Sequence, residues 1–301
     1  MRLKEEIVKL KKERNAIILA HYYVADEVQE IADYVGDSYY LAKIAKESTA
    51  DVIVFCGVKF MGESAKIVNP NKIVLLPEKN ADCPMAHMAT VENVKKIKNE
   101  QDDLAVVCYI NSSVELKSVS DVCVTSSNAI KIVKSLPNKN ILFIPDENLG
   151  RYCQSKIPEK NFIFNKGYCH VHTAIHAFDL MKTKAKYKSA LVLAHPECTG
   201  DILELADFIG STSQIIEFSQ KSTCNEFIIA TELGILYELK SKSPNKIFHT
   251  ISEQQSCPDM KSITLNSVLS SLKNNNYQVN VDDVIAIDAL KPLEKMLDLA
   301  K

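Results

Sequence analysis

Short apolar runs, rich in β-branched residues, punctuate the chain and are separated by stretches of helical periodicity. The runs fall at residues 16–20, 34–36, 52–56 and 73–76, then at 105–108, 122–124, 141–144 and 162–164, and finally at 190–194, 208–210, 227–230 and 247–249. They are continuously apolar rather than alternating, which predicts strands buried on both faces of parallel sheets. The helical stretches between them supply the crossovers that parallel strands need. Residues 1–12 read as an amphipathic helix rather than a leader peptide.

One set of landmarks recurs three times. Cys83, Cys169 and Cys257 stand 86 and 88 residues apart, each just beyond the last apolar run of its group. His21, Tyr109 and His195 close the first run of each group at spacings of 88 and 86, and Tyr23, Asn111 and Glu197 follow two residues later. Asp33, Asp121 and Asp207 keep the same phase. A phase held by several residue types at once is the signature of an internal repeat. The predicted fold is α/β: three homologous three-layer α/β/α sandwich subdomains with short parallel sheets around a pseudo-threefold axis. The units are placed at residues 1–85, 86–171 and 172–260. Residues 261–301 carry two more helical patterns and are expected to pack back on the first unit.

The repeat changes the reading of the chemistry. Units packed around one axis bring equivalent residues together, so Cys83, Cys169 and Cys257 become one triad, and three converging thiolates read as a metal site. The plainer alternative is that they are buried small hydrophobes. That alternative is preferred for Cys56, Cys108, Cys123, Cys198 and Cys224, which lie in or beside apolar runs, while Cys153 in a polar stretch stays ambiguous. In open α/β sheets ligands bind beyond the carboxyl ends of the strands. His21, Tyr23, Ser38, Tyr109, Asn111, Ser126, His195, Glu197 and Thr212 all fall there. Ser38, Ser126 and Thr212 each precede a helical pattern and read as N-caps. Three helix N-termini around one cavity also suit a small, multiply anionic substrate.

Composition narrows the partners. With 46% hydrophobic and 25% charged residues and a net charge of −2, the chain gives no bulk electrostatic case for nucleic acid or membrane. No apolar run approaches the roughly 20 residues that span a bilayer. Nine cysteines, an odd number, fit reduced thiols in a cytoplasmic setting better than a disulfide framework. Neither a Walker loop nor a dinucleotide fingerprint occurs.

These residues together resemble the quinolinate synthase family. The segments that carry the resemblance include His21-Tyr22-Tyr23, Gly36-Asp37-Ser38-Tyr39-Tyr40, Cys83-Pro84-Met85, Tyr109-Ile110-Asn111-Ser112, Pro145-Asp146-Glu147-Asn148, Gly167-Tyr168-Cys169-His170-Val171-His172, His195-Pro196-Glu197-Cys198, Ala230-Thr231-Glu232-Leu233-Gly234 and Gln255-Ser256-Cys257-Pro258. They cover nearly the whole chain. The resemblance implies a condensing transferase of NAD biosynthesis that joins iminoaspartate and dihydroxyacetone phosphate to give quinolinate, phosphate and water. It further implies a 4Fe-4S cluster on Cys83, Cys169 and Cys257, with one iron left open as a Lewis acid. An aspartate-oxidising or aspartate dehydrogenase enzyme would supply the unstable iminoaspartate. Carried over by position, Tyr23 is the first candidate for acid–base work, and Glu197 with His195 is the second. His21, Ser38, Tyr109, Ile110, Asn111, Ser126, His195, Pro196, Glu197 and Thr212 are expected to hold substrate, and His172 to stand beside the cluster. Cys257 has no neighbouring cysteine, so a redox disulfide in its loop is not expected.

Two other readings stand beside this one. His170, His172 and His176 have spacings that could meet on one zinc, although this leaves the phased cysteines unexplained. An iron–sulfur sensor would need a DNA-binding or partner surface, and neither a basic patch nor a helix-turn-helix pattern stands out.

Overall fold

The computed structural model describes residues 2–301. Its strands form three parallel four-stranded sheets with one topology. In the first, β1 (Ala16–His21), β2 (Tyr34–Gly36), β3 (Val52–Cys56) and β4 (Ile73–Leu75) lie in the order β2-β1-β3-β4. The second contains β5 (Leu104–Tyr109), β6 (Val122–Val124), β7 (Asn140–Ile144) and β8 (Asn161–Phe164), ordered β6-β5-β7-β8. The third contains β9 (Leu191–Ala194), β10 (Phe208–Ile209), β11 (Glu226–Ala230) and β12 (Ile247–Thr250), ordered β10-β9-β11-β12. Each apolar run became a strand, with ends within one residue of those predicted. Every residue of β3 and β6 is buried, as a strand covered on both faces must be. The architecture is three repeated α/β/α units.

The phased aspartates have a structural reason. Asp33 accepts a hydrogen bond from Ile18 N at 2.8 Å, Asp121 from Val106 N at 2.7 Å and Asp207 from Val192 N at 2.8 Å. In each pair the aspartate's own N–H donates to the carbonyl of the same partner, at 2.9, 3.0 and 2.9 Å. A short second strand starts beside the first only if its leading backbone groups are paired, and the carboxylate makes the pairing two-sided.

The first two units share one continuous apolar core, into which Met260, Val268, Leu272, Leu293 and Met296 of the C-terminal region also pack. The third unit has two smaller clusters of its own, and Tyr22 of the first unit enters one of them beside Leu193 and Ile229. Helix Leu265–Asn274 packs on helix Arg2–Glu13 and β3. Helix Asp283–Leu299 packs mainly on helix Val114–Ser118 and β6, and also touches helix Lys59–Ile67. The tail therefore reaches the second unit as well as the first. Between these two helices the chain runs antiparallel to β4, with Val279 N donating to Val74 O at 2.8 Å and Leu76 N to Tyr277 O at 3.2 Å. This covers an otherwise open sheet edge. Helix Arg2–Glu13 matches the amphipathic N-terminal pattern; Met1, which that pattern included, lies outside the described residues. Among the described residues no helix is long and apolar enough to cross a membrane.

Candidate active site

The topology puts β1, β5 and β9 at the point where the order of strands reverses in each parallel sheet, and their carboxyl ends open into one cavity. His21 and Tyr109 end their strands, and His195 follows the third. The turns after β1 and β9 have the same form: Tyr23 N donates to His21 Nδ1 at 3.2 Å and Glu197 N to His195 Nδ1 at 3.3 Å. A backbone donor at Nδ1 leaves the proton of the neutral ring on Nε2, the nitrogen directed away from its own loop. Burial drives both imidazoles down to about 3, so both are neutral near pH 7.

The three cysteines complete the wall. Cys83, Cys169 and Cys257 each stand immediately before a short helix (Pro84–His87, His170–Thr173 and Pro258–Lys261) and each lines the cavity. All nine cysteines are free thiols. Nearby backbone N–H groups, of Ala86 and Met85 at Cys83, of His172 at Cys169, and of Met260 and Asp259 at Cys257, act to lower each thiol. Burial still pushes the Cys83 and Cys169 thiols well up and Cys257 to about 11. The amide donors favour the thiolate but do not by themselves generate it, so a cation bound between them would.

A connected polar network lies in the same cavity, its His172 and Glu197 within 4.8 Å of the Cys169 sulfur. Tyr23, half-buried, bonds through its hydroxyl to Thr212 Oγ1 at 2.8 Å and Thr231 Oγ1 at 3.0 Å. Thr231 Oγ1 also meets His172 Nε2 at 2.9 Å. His172 Nδ1 lies 2.7 Å from Glu197 Oε2, and His195 Nδ1 lies 3.7 Å from the same oxygen. His195 Nε2 meets Ser126 Oγ at 3.2 Å. Burial opposes ionisation of Glu197, yet His195, His172 and the Tyr109 hydroxyl hold its carboxyl below the usual range. Burial, and then the Glu197 charge, raise the Tyr23 and Tyr109 hydroxyls well above theirs.

Among the described residues, three buried polar atoms of residues lining the cavity have no partner: Asn111 Oδ1, Glu197 Oε1 and His172 Nδ1. The 2.7 Å contact between His172 and Glu197 is off the axis of a hydrogen bond, which is why Nδ1 counts among them. Unpaired buried polar atoms are costly in a folded chain, and their gathering at one cavity marks where a ligand completes the set. The space enclosed, open mouth included, is about 760 Å³.

Most of the residues expected at the site line this cavity: His21, Tyr23, Ser38, Tyr109, Asn111, Ser126, His172, His195, Glu197 and Thr212, with the three cysteines. Ile110 and Pro196 do not, being buried within the strand-end turns. Ser38 and Thr212 are not N-caps. The caps stand one residue earlier, Asp37 accepting from Tyr40 N at 3.0 Å and Ser211 from Gln214 N at 3.3 Å. Ser38 and Thr212 are thereby released from capping, and both line the cavity. In the second unit the helix starts later, at Ala129, with Asn128 before it and Ser126 in the preceding turn. Cys153 is no loop residue but a fully buried member of helix Glu147–Lys156. The histidine triad does not form: His172 is buried and His176 exposed. Among the described residues the converging metal-ligand donors are instead those of Cys169, His172 and Glu197, within 4.8 Å of one another. Residue reasoning gave no role to Asp37, Thr125, Thr231, Glu232 or Asp146. The repeat held a signal for two of them, since Asp146 and Glu232 are 86 residues apart.

Fold and site together define an enzyme of three repeated α/β units, with one shared cavity that sets three free thiols against a buried acid–base network. The chain belongs to the quinolinate synthase family: the family model described as quinolinate synthetase A protein matches residues 5–298. It is 50% identical over 299 residues to a quinolinate synthase of Caldicellulosiruptor saccharolyticus, covering 99% of each chain. It is 52% identical over 296 residues to that of Clostridioides difficile, covering 98% of this chain and 97% of the other. It is also 52% identical over 298 residues to that of Fusobacterium nucleatum, covering 99% of each.

Proposed function

We propose that this enzyme condenses iminoaspartate with dihydroxyacetone phosphate to quinolinate, phosphate and water in the cytoplasm, using a 4Fe-4S cluster held by Cys83, Cys169 and Cys257. The observation that carries the reading is the meeting of three free thiols and a buried proton-transfer network on one cavity. The donor set fits: three sulfurs suit iron and sulfide, and the unpaired Asn111 and Glu197 oxygens suit a substrate beside them. Bound there, a cluster with one iron lacking a protein ligand supplies a Lewis acid for a substrate oxygen. Repeat boundaries at 85, 171 and 260 belong to the same proposal, since each interval holds one sheet and one of the three cysteines.

The residues divide the remaining work. Helices Ser38–Glu47 and Thr212–Lys221 point their N-termini and first-turn hydroxyls at the cavity, a setting for carboxylate or phosphate oxygens. Neutral His21 and His195 present Nε2–H as donors without adding a charge. Tyr23 transfers protons at its hydroxyl, where Thr212 and Thr231 fix its direction. Glu197, held ionised, accepts a proton and passes it to His172, whose other nitrogen is tied through Thr231 to Tyr23. The iminoaspartate would come from an enzyme that oxidises or dehydrogenates aspartate.

A single metal ion on Cys169, His172 and Glu197 is the competing reading, favoured by their convergence. Anaerobic purification with an absorption spectrum, iron, sulfide and zinc counts, and an assay with both substrates separates the two. Iron with equimolar sulfide and quinolinate formation is the expected result. One zinc without sulfide would overturn the cluster, and cluster-loaded protein that forms no quinolinate would overturn the reaction.

A further inference from the structure

Glu232 is completely buried, and its carboxylate is shared by three groups from different parts of the chain. Oε1 accepts from Cys257 N at 3.0 Å and lies 3.4 Å from Lys261 Nζ. Oε2 accepts from Gly234 N at 2.5 Å. Lys261 Nζ in turn donates to Tyr23 O at 2.7 Å and lies 3.4 Å from Val24 O. Gln29 closes the circuit: its Nε2 donates to Tyr22 O at 2.9 Å and to Gly234 O at 3.1 Å. At Gly234 the third unit's backbone passes so close to the first that a Cβ would lie 2.5 Å from Tyr22 O and 2.7 Å from Tyr23 Cα. Tyr22, Tyr23 and Val35 of the first unit pack against the third unit's apolar cluster, and this polar hub lies beside that contact.

We propose that Glu232 is a positioning residue which, through Lys261, locks the loop of the cluster ligand Cys257 to the loop of Tyr23, so that ligand and acid–base group keep one spacing. This rests on the cluster reading above. An acceptor at both oxygens is what the site demands, because both Cys257 N and Gly234 N donate into it. A glutamine would turn one acceptor into a donor facing an N–H, with almost no change of shape. The first unit has a counterpart, since Asp82 Oδ1 accepts from Cys83 N at 2.7 Å. That carboxylate, however, is half-buried and reaches no catalytic loop, so the Tyr23 connection is special to Glu232.

The test uses full-length, anaerobically reconstituted protein as wild type, Glu232→Gln, Lys261→Met and Lys261→Arg. It reads iron release to ferrozine, the electron paramagnetic resonance of the reduced cluster, kcat and KM. Glu232→Gln is expected to release iron about 10- to 100-fold faster, as loss of a group orienting a metal ligand typically does. Its resonance should shift, because the Cys257 sulfur moves. Lys261→Met is expected to lower kcat roughly tenfold or more with KM nearly unchanged, since a small misplacement of a catalytic group is enough for that, and Lys261→Arg to recover part of it. Wild-type iron release, resonance and kcat in a folded Glu232→Gln protein would overturn the proposal. Should that variant not fold, wild-type kcat in Lys261→Met, a change at a side chain that is 29% exposed, overturns it instead. A wild-type protein with no iron would remove the cluster reading alone, and the turnover of Lys261→Met would still decide the Tyr23 connection.

Discussion

Replacing Tyr23 by phenylalanine isolates one oxygen. The ring remains, stacked edge-on to His21 at 4.6 Å between centroids, so the packing of the loop is retained. What is lost is a hydroxyl with two partners, Thr212 Oγ1 and Thr231 Oγ1. Thr231 keeps His172 Nε2 at 2.9 Å, and Thr212 faces the cavity, so neither hydroxyl is stranded. Two neutral hydrogen bonds with other partners at hand cost about 1–2 kcal/mol of stability, which leaves a folded, cluster-competent protein. The catalytic loss is larger. Burial and the Glu197 charge hold the Tyr23 phenol well above its ordinary value, so it enters the reaction protonated and serves first as an acid. General acid–base catalysis contributes about 10²–10⁴-fold, or roughly 3–5 kcal/mol of barrier at 1.36 kcal/mol per decade. The assay is quinolinate formation by protein matched in iron and sulfide content, with substrate affinity measured separately by equilibrium binding. The expected result is kcat at least about a hundredfold lower with unchanged cluster content and affinity. A cluster-replete Tyr23→Phe enzyme at near-normal kcat would show that the hydroxyl only packs, and would move the acid–base role to Glu197.

Cys169→Ser is expected to abolish both iron content and turnover, whereas Cys56→Ser, buried in β3 away from the cavity, should keep its iron; a full iron load in Cys169→Ser would refute the ligand set. His21 and His195 are buried neutral with folded values near 3, below the 6.5 of the unfolded chain, so the unfolded state binds more protons across that interval. Stability of the metal-free protein should therefore fall as pH drops from about 6.5 toward 3, each histidine costing about 2 kcal/mol by pH 5; a urea midpoint equal at pH 7 and pH 5 would contradict this. Gly234→Ala forces a methyl against the Tyr22 carbonyl and Tyr23 Cα and should cost about 1–3 kcal/mol, with a lower kcat, whether read by melting or by turnover; native values for both would show that the two loops can separate freely.

The sequence alone determined the three units, their strands and most of the residues around the cavity. The reason is that burial on both faces demands unbroken apolar runs, and a threefold repeat turns those runs into a ruler. Asp33, Asp121 and Asp207 were legible because one local hydrogen-bond pattern recurs in each copy. The sequence was less informative where the copies differ. Asp37 and Ser211 took the capping role that the hydroxyl at the next position was expected to fill, a choice made by backbone geometry at a single residue. The tail's second partner, helix Val114–Ser118, depends on which apolar face the packed units leave open. Above all, the path from Cys257 through Glu232 and Lys261 to Tyr23 joins residues from opposite ends of the chain. No local pattern encodes such a contact. It exists only once the third unit docks on the first and a buried carboxylate needs donors within reach.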